Sequence, residues 1–361
     1  MQELVHVLTQ SAALSQIRQR EGERKLAQTA DFCASGESWQ SALGRSKAAV
    51  VVLGIPSDIG VRANFGKPGC ANLWAVARTK FLSMQDNAAL RGESLLVLGE
   101  IAVDDLMRKA VTLDATRVAD LAVLHALVCE VDERVAVVAA EVVKSDKLLV
   151  AVGGGHENAF GIIKGLSTAT SRGVSCINID AHADLRQDAG RHSGNAFSAA
   201  RRETFLERYC VVGLQEPFVN DAMWEQFQKE DGLHAMTLER IRTRLFSGSE
   251  MLGYFPFGKM WPHAPHIAVM EEAAKFAKKR PLALEMDLDA ITGVAASAPT
   301  TAGLAVEEVR EMLRYIGARR NVSTFHICEG IADETDSQGV GALTALLMSD
   351  VIKTVLARRA K

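Results

Sequence analysis

The stretch Asn178-Ile179-Asp180-Ala181-His182-Ala183-Asp184-Leu185-Arg186 follows directly on an apolar run, residues 174–177, and its reading organises the rest of the chain. In an extended backbone the side chains at i, i+2 and i+4 share a face, so Asp180, His182 and Asp184 converge on one point beyond a strand end. Two carboxylates and an imidazole at that point suit a divalent cation of hard-to-borderline character. Burying three ionisable groups at a sheet end is costly unless something pairs them, which separates this motif from an ordinary polar turn.

Two other apolar runs end in the same way. In Glu285-Met286-Asp287-Leu288-Asp289 the pair Asp287 and Asp289 repeats the i, i+2 relation, with Glu285 on the same face but deeper in the strand. In Gly153-Gly154-Gly155-His156-Glu157 three glycines permit a tight turn that delivers His156 at a strand end. Taken alone, the D-x-D reads equally as a cap, and the glycine run as a tight turn. Together the three ends supply His156, Asp180, His182, Asp184, Asp287 and Asp289. Six side chains exceed one tetrahedral zinc, and with no cysteine in the set they suit two carboxylate-bridged Mn²⁺ ions per subunit. Such a pair lowers the pKa of a water and presents hydroxide at neutral pH, so the expected reaction class is metal-assisted hydrolysis.

Outward from these motifs, residues 48–56, 95–100, 147–153, 174–180, 209–213, 281–289 and 324–329 read as buried parallel strands. Residues 114–143, 307–316 and 342–356 carry helical periodicity between them, which favours βαβ units and a doubly wound sheet. A common polar signature at the strand ends implies one sheet, one site and one catalytic domain over residues 47–361. Residues 1–46 read as a polar, helical N-terminal extension, and residues 248–265, rich in Gly, Pro and aromatics, as an inserted loop. Each has two readings, an oligomer contact or a surface cover, so a homo-oligomer stays open.

The 361 residues are 48% hydrophobic and 24% charged, a globular composition. A formal charge of −3 carries no electrostatic footprint for nucleic acid or an anionic membrane, which leaves a small molecule as the expected partner. Six scattered cysteines form no C-x-x-C pair and read as reduced and mostly buried. The N-terminal residues lack a signal-like apolar core, and no later apolar run approaches the roughly 18 residues of a membrane span, so a cytoplasmic enzyme is expected.

The three motifs, in this order, resemble the ureohydrolase superfamily of arginase, agmatinase and formiminoglutamase from about residue 48 to residue 352. The resemblance implies an α/β three-layer sandwich around a central, mostly parallel eight-stranded sheet, with a binuclear manganese cluster at the strand ends. It assigns His156, Asp180, Asp184 and Asp287 to one ion and His182, Asp180, Asp287 and Asp289 to the other, Asp180 and Asp287 bridging. Gly155-His156-Glu157-Asn158-Ala159-Phe160-Gly161 is similar to the formiminoglutamase form, as is the loop from Asp58 to Gly69, where Lys67 replaces the usual Arg. Phe197 stands where arginases carry a histidine proton shuttle, and Ser193-Gly194-Asn195-Ala196-Phe197 is similar to the formiminoglutamase S-G-[TN]-x-F. Residues 290–299 lack the proline that follows the ligand motif in relatives, and Glu329 is followed by Gly330-Ile331-Ala332-Asp333 in place of V-N-P.

The activity this implies is hydrolysis of N-formimidoyl-L-glutamate to L-glutamate and formamide, as in histidine degradation. Asp184 would orient the nucleophile and pass its proton to the leaving nitrogen, and Glu329 would hold the cationic amidine. Arg186, Ser193 and Asn195 are the candidates for the substrate carboxylates, and His192 for a substitute proton shuttle. The bland readings are that Arg186 pairs with Asp184 or Asp188, that His192 is a solvated loop residue, and that Glu157 only braces His156. His125 and His326 read as packing residues. The competing functions are an arginase- or agmatinase-type hydrolase that releases urea from a guanidino compound, and a metal-binding paralogue without turnover.

Overall fold

The computed structural model describes residues 3–243 and 264–360. Ten strands form one sheet: β1 (Val5–Val7), β2 (Asp31–Phe32), β3 (Val50–Gly54), β4 (Leu95–Ile101), β5 (Leu148–Val152), β6 (Val174–Ile179), β7 (Leu206–Leu214), β8 (Leu233–Thr237), β9 (Leu282–Asp287) and β10 (Val322–Cys328). Eight of them run parallel in the order β4-β3-β5-β10-β9-β6-β7-β8. The central strands β3, β5, β6 and β9 are buried along their whole length, as their near-continuous apolar sequences require of a sheet covered on both faces. The expected three-layer α/β architecture is thus observed.

The two strands beyond the expected eight both come from residues 1–46 and sit on the outer edge of β4. β1 pairs antiparallel with β4, from Val5 opposite Ile101 to Val7 opposite Gly99, and β2 pairs parallel with it through Asp31 and Phe32. The reading of this segment as a polar, helical extension is therefore corrected in part: it carries the helices Gln10–Ser15, Leu26–Thr29 and Trp39–Arg45 as well as these two edge strands. Strands of three and two residues are too short for an alternating pattern to show. Val5, Leu26, Phe32 and Trp39 are buried, so the segment caps the sheet edge and feeds its core.

Helices cover both faces. The helix Val118–Lys144 packs on the helix Asn158–Thr170, whose Gly161 and Gly165 allow the close approach. A Cβ there would fall 2.8 Å from the Asp132 carbonyl oxygen or 2.6 Å from that of Ala136. The helix Val340–Arg359 is long and apolar enough to cross a bilayer by length and composition, a candidate the sequence reading missed. Here Leu347, Met348, Val351, Ile352 and Val355 join the core that contains β5 and β10, so it is a buried helix of the sandwich. The insertion expected at residues 248–265 lies, through residue 263, outside the described residues.

The strand order positions the site. The chain leaves β5 and crosses to β6, and β9 and β10 later fill the gap between them. The carboxyl ends of β5, β10, β9 and β6 therefore meet at the point where the winding direction changes, the usual place for a ligand crevice in such sheets.

Candidate metal centre

Each of those four strands delivers polar side chains just past its last residue. Asp180 follows β6, Asp287 ends β9, Glu329 follows β10, and His156 stands beyond the glycine turn after β5. Register keeps them level: Ile179 lies opposite Met286, Asp287 opposite Cys328, and Ile327 opposite Val152. His156 Nδ1 lies 3.2 Å from Asp180 Oδ2, 3.0 Å from Asp184 Oδ2 and 3.1 Å from Asp287 Oδ2. His182 Nδ1 lies 2.8 Å from Asp289 Oδ2 and 3.7 Å from Asp180 Oδ1. Two donor sets result, His156 with Asp180, Asp184 and Asp287, and His182 with Asp180 and Asp289, and Asp180 belongs to both.

The backbone holds these carboxylates in place. The His182 N–H donates to Asp180 Oδ1 at 2.6 Å, and the Asp289 N–H to Asp287 Oδ1 at 2.9 Å. Asn178 Nδ2 donates to Asp180 Oδ2 at 2.8 Å, and Tyr209 Oη donates to the Ala183 carbonyl at 2.9 Å, fixing the loop between the ligands. Asp184 and Glu329 sit at φ 48° and 64°, left-handed conformations that side chains other than Gly seldom adopt. Both line the cavity, where such strain concentrates in proteins.

The electrostatics are unbalanced. Burial drives the Asp287 carboxyl well above its ordinary range, and Asp289 and Asp180 beside it push the same way. Asp289 is raised to about 6 by burial and by Asp180. Burial works against a charge on Asp180 as well, but His156 and His182 overrule it and hold that carboxyl low. Desolvation opposes a charge on His182, yet Asp289, Asp180 and Asp184 carry it up to about 10. Glu329 is raised to about 8, by burial first and then by Asp287. His156 Nδ1, Asp289 Oδ1 and Glu329 Oε2 are buried without a well-formed hydrogen bond. Anionic oxygens and imidazole nitrogens aimed at shared points, with buried atoms unsatisfied, fit divalent cations.

A cavity of about 230 Å³ opens onto this cluster. Its walls include His182, Asp184, Asp287, Asp289, Glu329, Arg186 and Ser193, so these expected residues are brought together. Glu329 Oε1 accepts the His156 N–H at 2.6 Å and its other oxygen remains free. Arg186 is exposed on the rim and, among the described residues, has no side-chain hydrogen bond or ion pair, so the expected alternative of a pairing with Asp184 or Asp188 is not realised.

Three expectations are corrected. His192 is buried away from the cavity, its Nδ1 accepting the Gly194 N–H at 3.2 Å and its Nε2 lying 3.1 Å from Asp188 Oδ2, so it does not reach the cluster. Asn195 is fully buried. Its oxygen accepts from Arg191 Nη1 and from the His192 N–H, and its amide donates to the Gly190 carbonyl at 2.7 Å, so it braces the loop and does not line the cavity. His326 has the carboxylate partner it was not expected to have, Glu285, at 2.7 Å.

Other residues of the site were missed. Phe218 stacks on His182 with ring centroids 5.1 Å apart, and Asn64 donates to Ser193 Oγ at 3.1 Å; both line the cavity. The Cys328 thiol adjoins His156 and Asp287, although the ligand set was expected to be free of cysteine. Burial pushes that thiol far above its ordinary range, which keeps it protonated and a poor ligand. Phe197 packs edge-on against His156 at 5.1 Å. Glu157 Oε1 accepts the Gly60 N–H at 3.1 Å and so ties the turn carrying His156 to the short helix Ile59–Ala63 that follows β3.

This chain is similar to several known proteins. It is 28% identical over 186 residues to a formimidoylglutamase of Geobacillus sp. (strain WCH70), covering 50% of this chain and 51% of that one. It thus spans about half the length of the curated relatives it matches. Among solved structures, a formiminoglutamase variant of Trypanosoma cruzi with Mn²⁺ superposes at a TM-score of 0.68 with 18% identity, over 93% of this chain and 99% of that one. The formimidoylglutamase of Bacillus subtilis gives a TM-score of 0.67 with 16% identity, over 92% and 93%. At those identities the superpositions establish a shared fold. The Arginase family profile matches residues 48–357, a span that contains every strand of the parallel core and all six side chains of the two donor sets, and the chain belongs to the Arginase family.

Proposed function

We propose that this protein hydrolyses a C–N bond of a linear amidine, with N-formimidoyl-L-glutamate as substrate and L-glutamate and formamide as products. The observation that carries the reading is the free, buried Glu329 oxygen over a cavity floored by two donor sets that share Asp180. The similar proteins named as formimidoylglutamases, one of them with Mn²⁺, support the choice of substrate and metal. His156, Asp180, Asp184 and Asp287 would hold one manganese ion, and His182, Asp180, Asp287 and Asp289 the other. Such a pair supplies a hydroxide nucleophile at neutral pH and stabilises negative charge developing on the attacked carbon's substituents.

The chain's own residues do the rest. Once ionised, Glu329 pairs with the cationic amidinium nitrogen and holds the formimidoyl carbon over the cluster. Among the described residues the cavity walls carry one histidine, His182, which faces Asp289, so Asp184 is the group that takes a proton from the nucleophile and returns it to the leaving amine. Arg186 supplies the unpaired cation for a substrate carboxylate, with Ser193 and Asn64 as neutral donors beside it. Phe218 over His182 shields the floor from solvent. A cytoplasmic setting belongs to the same proposal, since the six cysteines are unpaired and five of them buried.

The test is product analysis of the Mn²⁺-reconstituted protein on formimidoylglutamate, arginine and agmatine, with Asp180→Ala as control. Formamide from formimidoylglutamate, lost in the control, is expected. Urea from a guanidino substrate, or full turnover by the control, overturns the proposal.

A further inference from the structure

Behind His156, on the side away from the cavity, lies a second buried pair of ionisable groups that the reaction does not use. Glu285 on β9 and His326 on β10 are register partners, and both are fully buried. Glu285 Oε2 lies 2.7 Å from His326 Nδ1, and the same oxygen lies 3.8 Å from His156 Nε2. On its far side, His326 Nε2 lies 3.4 Å from the carbonyl oxygen of Gly153. A carbonyl only accepts, so Nε2 is the donor side of His326 toward Gly153, and Nδ1 is turned to Glu285. Glu285 Oε1 and His156 Nε2 are both left without a hydrogen bond.

The pair therefore touches the His156 element at two places. His326 meets the turn backbone three residues before His156, and Glu285 faces the ring nitrogen opposite the one aimed at the carboxylates. A histidine that binds a metal through one nitrogen must carry hydrogen on the other, and an acceptor for that hydrogen fixes the ring's tautomer and angle. Burying a carboxylate and an imidazole under a sheet end is otherwise poorly repaid in stability.

We infer that Glu285, braced by His326, is the positioning residue of His156: it accepts the His156 Nε2–H and so presents the Nδ1 lone pair to the ion of the Asp180, Asp184 and Asp287 set. This rests on the proposed metal centre. It predicts an asymmetric effect, because Glu285 faces His156 and not His182.

The experiment is a two-step Mn²⁺ titration by calorimetry and by metal analysis after dialysis, on the wild type, Glu285→Ala, Glu285→Gln and His326→Asn, with apoprotein melting curves alongside. Glu285→Ala should weaken one of the two ions by about 10- to 100-fold and leave the other near its wild-type affinity. Glu285→Gln, which keeps an acceptor for Nε2–H, should restore most of the loss. If Glu285→Ala fails to fold, His326→Asn carries the test and should weaken the same single ion. Retention of both ions at wild-type affinity in the variants overturns the inference, as does equal weakening of both ions with a lowered melting temperature. A wild type that binds no divalent ion defeats the metal centre itself, a different failure.

Discussion

Raising the pH should tighten manganese binding far more steeply than a single ligand could explain, because the empty cluster stores protons. Near pH 7 the His182 ring, raised to about 10 against its desolvation by Asp289 and its neighbours, carries a proton. His156 is shifted the same way, well above its ordinary range: burial opposes a charge there, but its hydrogen bonds to Asp180, Asp184 and Asp287 overrule it. Burial and the adjacent carboxylates push Asp287 well above its ordinary range, whereas Asp180 is held low and most of Asp289, raised to about 6, is ionised. Metal ligation requires neutral imidazoles and ionised carboxylates, so the His182 proton leaves as the ions enter, and the upward shifts of His156 and Asp287 act in the same direction. Glu329, raised to about 8 chiefly by burial, adds most of a second once positive charge arrives beside it. The protons are bound in the empty state, so higher pH favours the loaded one. With about two protons released, the product of the two association constants should rise roughly 10⁴-fold from pH 6 to pH 8, or about 10²-fold per ion. Calorimetric titration with Mn²⁺ at pH 7 in two buffers of different ionisation enthalpy counts the protons, and repetition across pH gives the slope. Release of less than one proton per chain, or an affinity flat across this range, refutes the account.

Three further outcomes are expected. Asp132, raised by burial to about 6 in spite of Arg191 at 3.0 Å, binds a proton more tightly folded than unfolded, so its contribution to stability is present near pH 4 and is lost as pH rises to 6; Asp132→Asn should remove about 3 kcal/mol of that slope in denaturant melts, while Asp132→Ala, which strands Arg191, should cost about 3–5 kcal/mol. Gly155→Ala places a Cβ 2.1 Å from Glu157 Oε2 and 2.5 Å from Val61 Cγ2, so the turn must shift and both metal content and melting temperature should fall. Arg186→Gln should raise KM about 10- to 100-fold with kcat little changed, the loss of one charge-assisted contact, whereas His192→Ala should leave both constants within a few-fold, and a large drop in kcat there would return His192 to the catalytic machinery.

Which features could be read from the sequence depends on whether their partners lie on one strand or on two. Asp180, His182 and Asp184 share a face by period-2 geometry and follow one apolar run, so the motif holds the site locally; the same is true of Asp287 and Asp289. Seven of the eight parallel strands were legible for a similar reason, since a buried parallel strand is a short unbroken apolar run, whereas the edge strand β8, half-buried at His234 and Ala235, was not singled out. The edge strands β1 and β2 were not, because two or three residues carry no period. Arg186, Ser193, Asn195 and His192 come from one loop, and proximity in sequence did not decide which of them reach the cavity. Gly190, at φ 85°, and the Arg191 anchor on Asp132 turn His192 and Asn195 inward, while Arg186 and Ser193 stay on the wall.

The Glu285–His326 pair shows why the remainder needed three dimensions. Forty-one positions separate the two residues, and each stands in an apolar strand where a lone ionisable side chain reads as a packing accident. The alignment of β9 with β10 makes them neighbours, and the placement of β10 beside β5 brings them under His156. A buried charge without a visible partner within its own strand is thus a statement about the adjacent strand. Had the sequence reading required a partner for Glu285, as burial requires one physically, it would have had to seek it on a neighbouring strand at the same depth below the carboxyl ends. His326, three residues before Glu329 as Glu285 is two before Asp287, is the side chain at that depth, and the identity of the brace follows from the same strand-end logic that yielded the ligands.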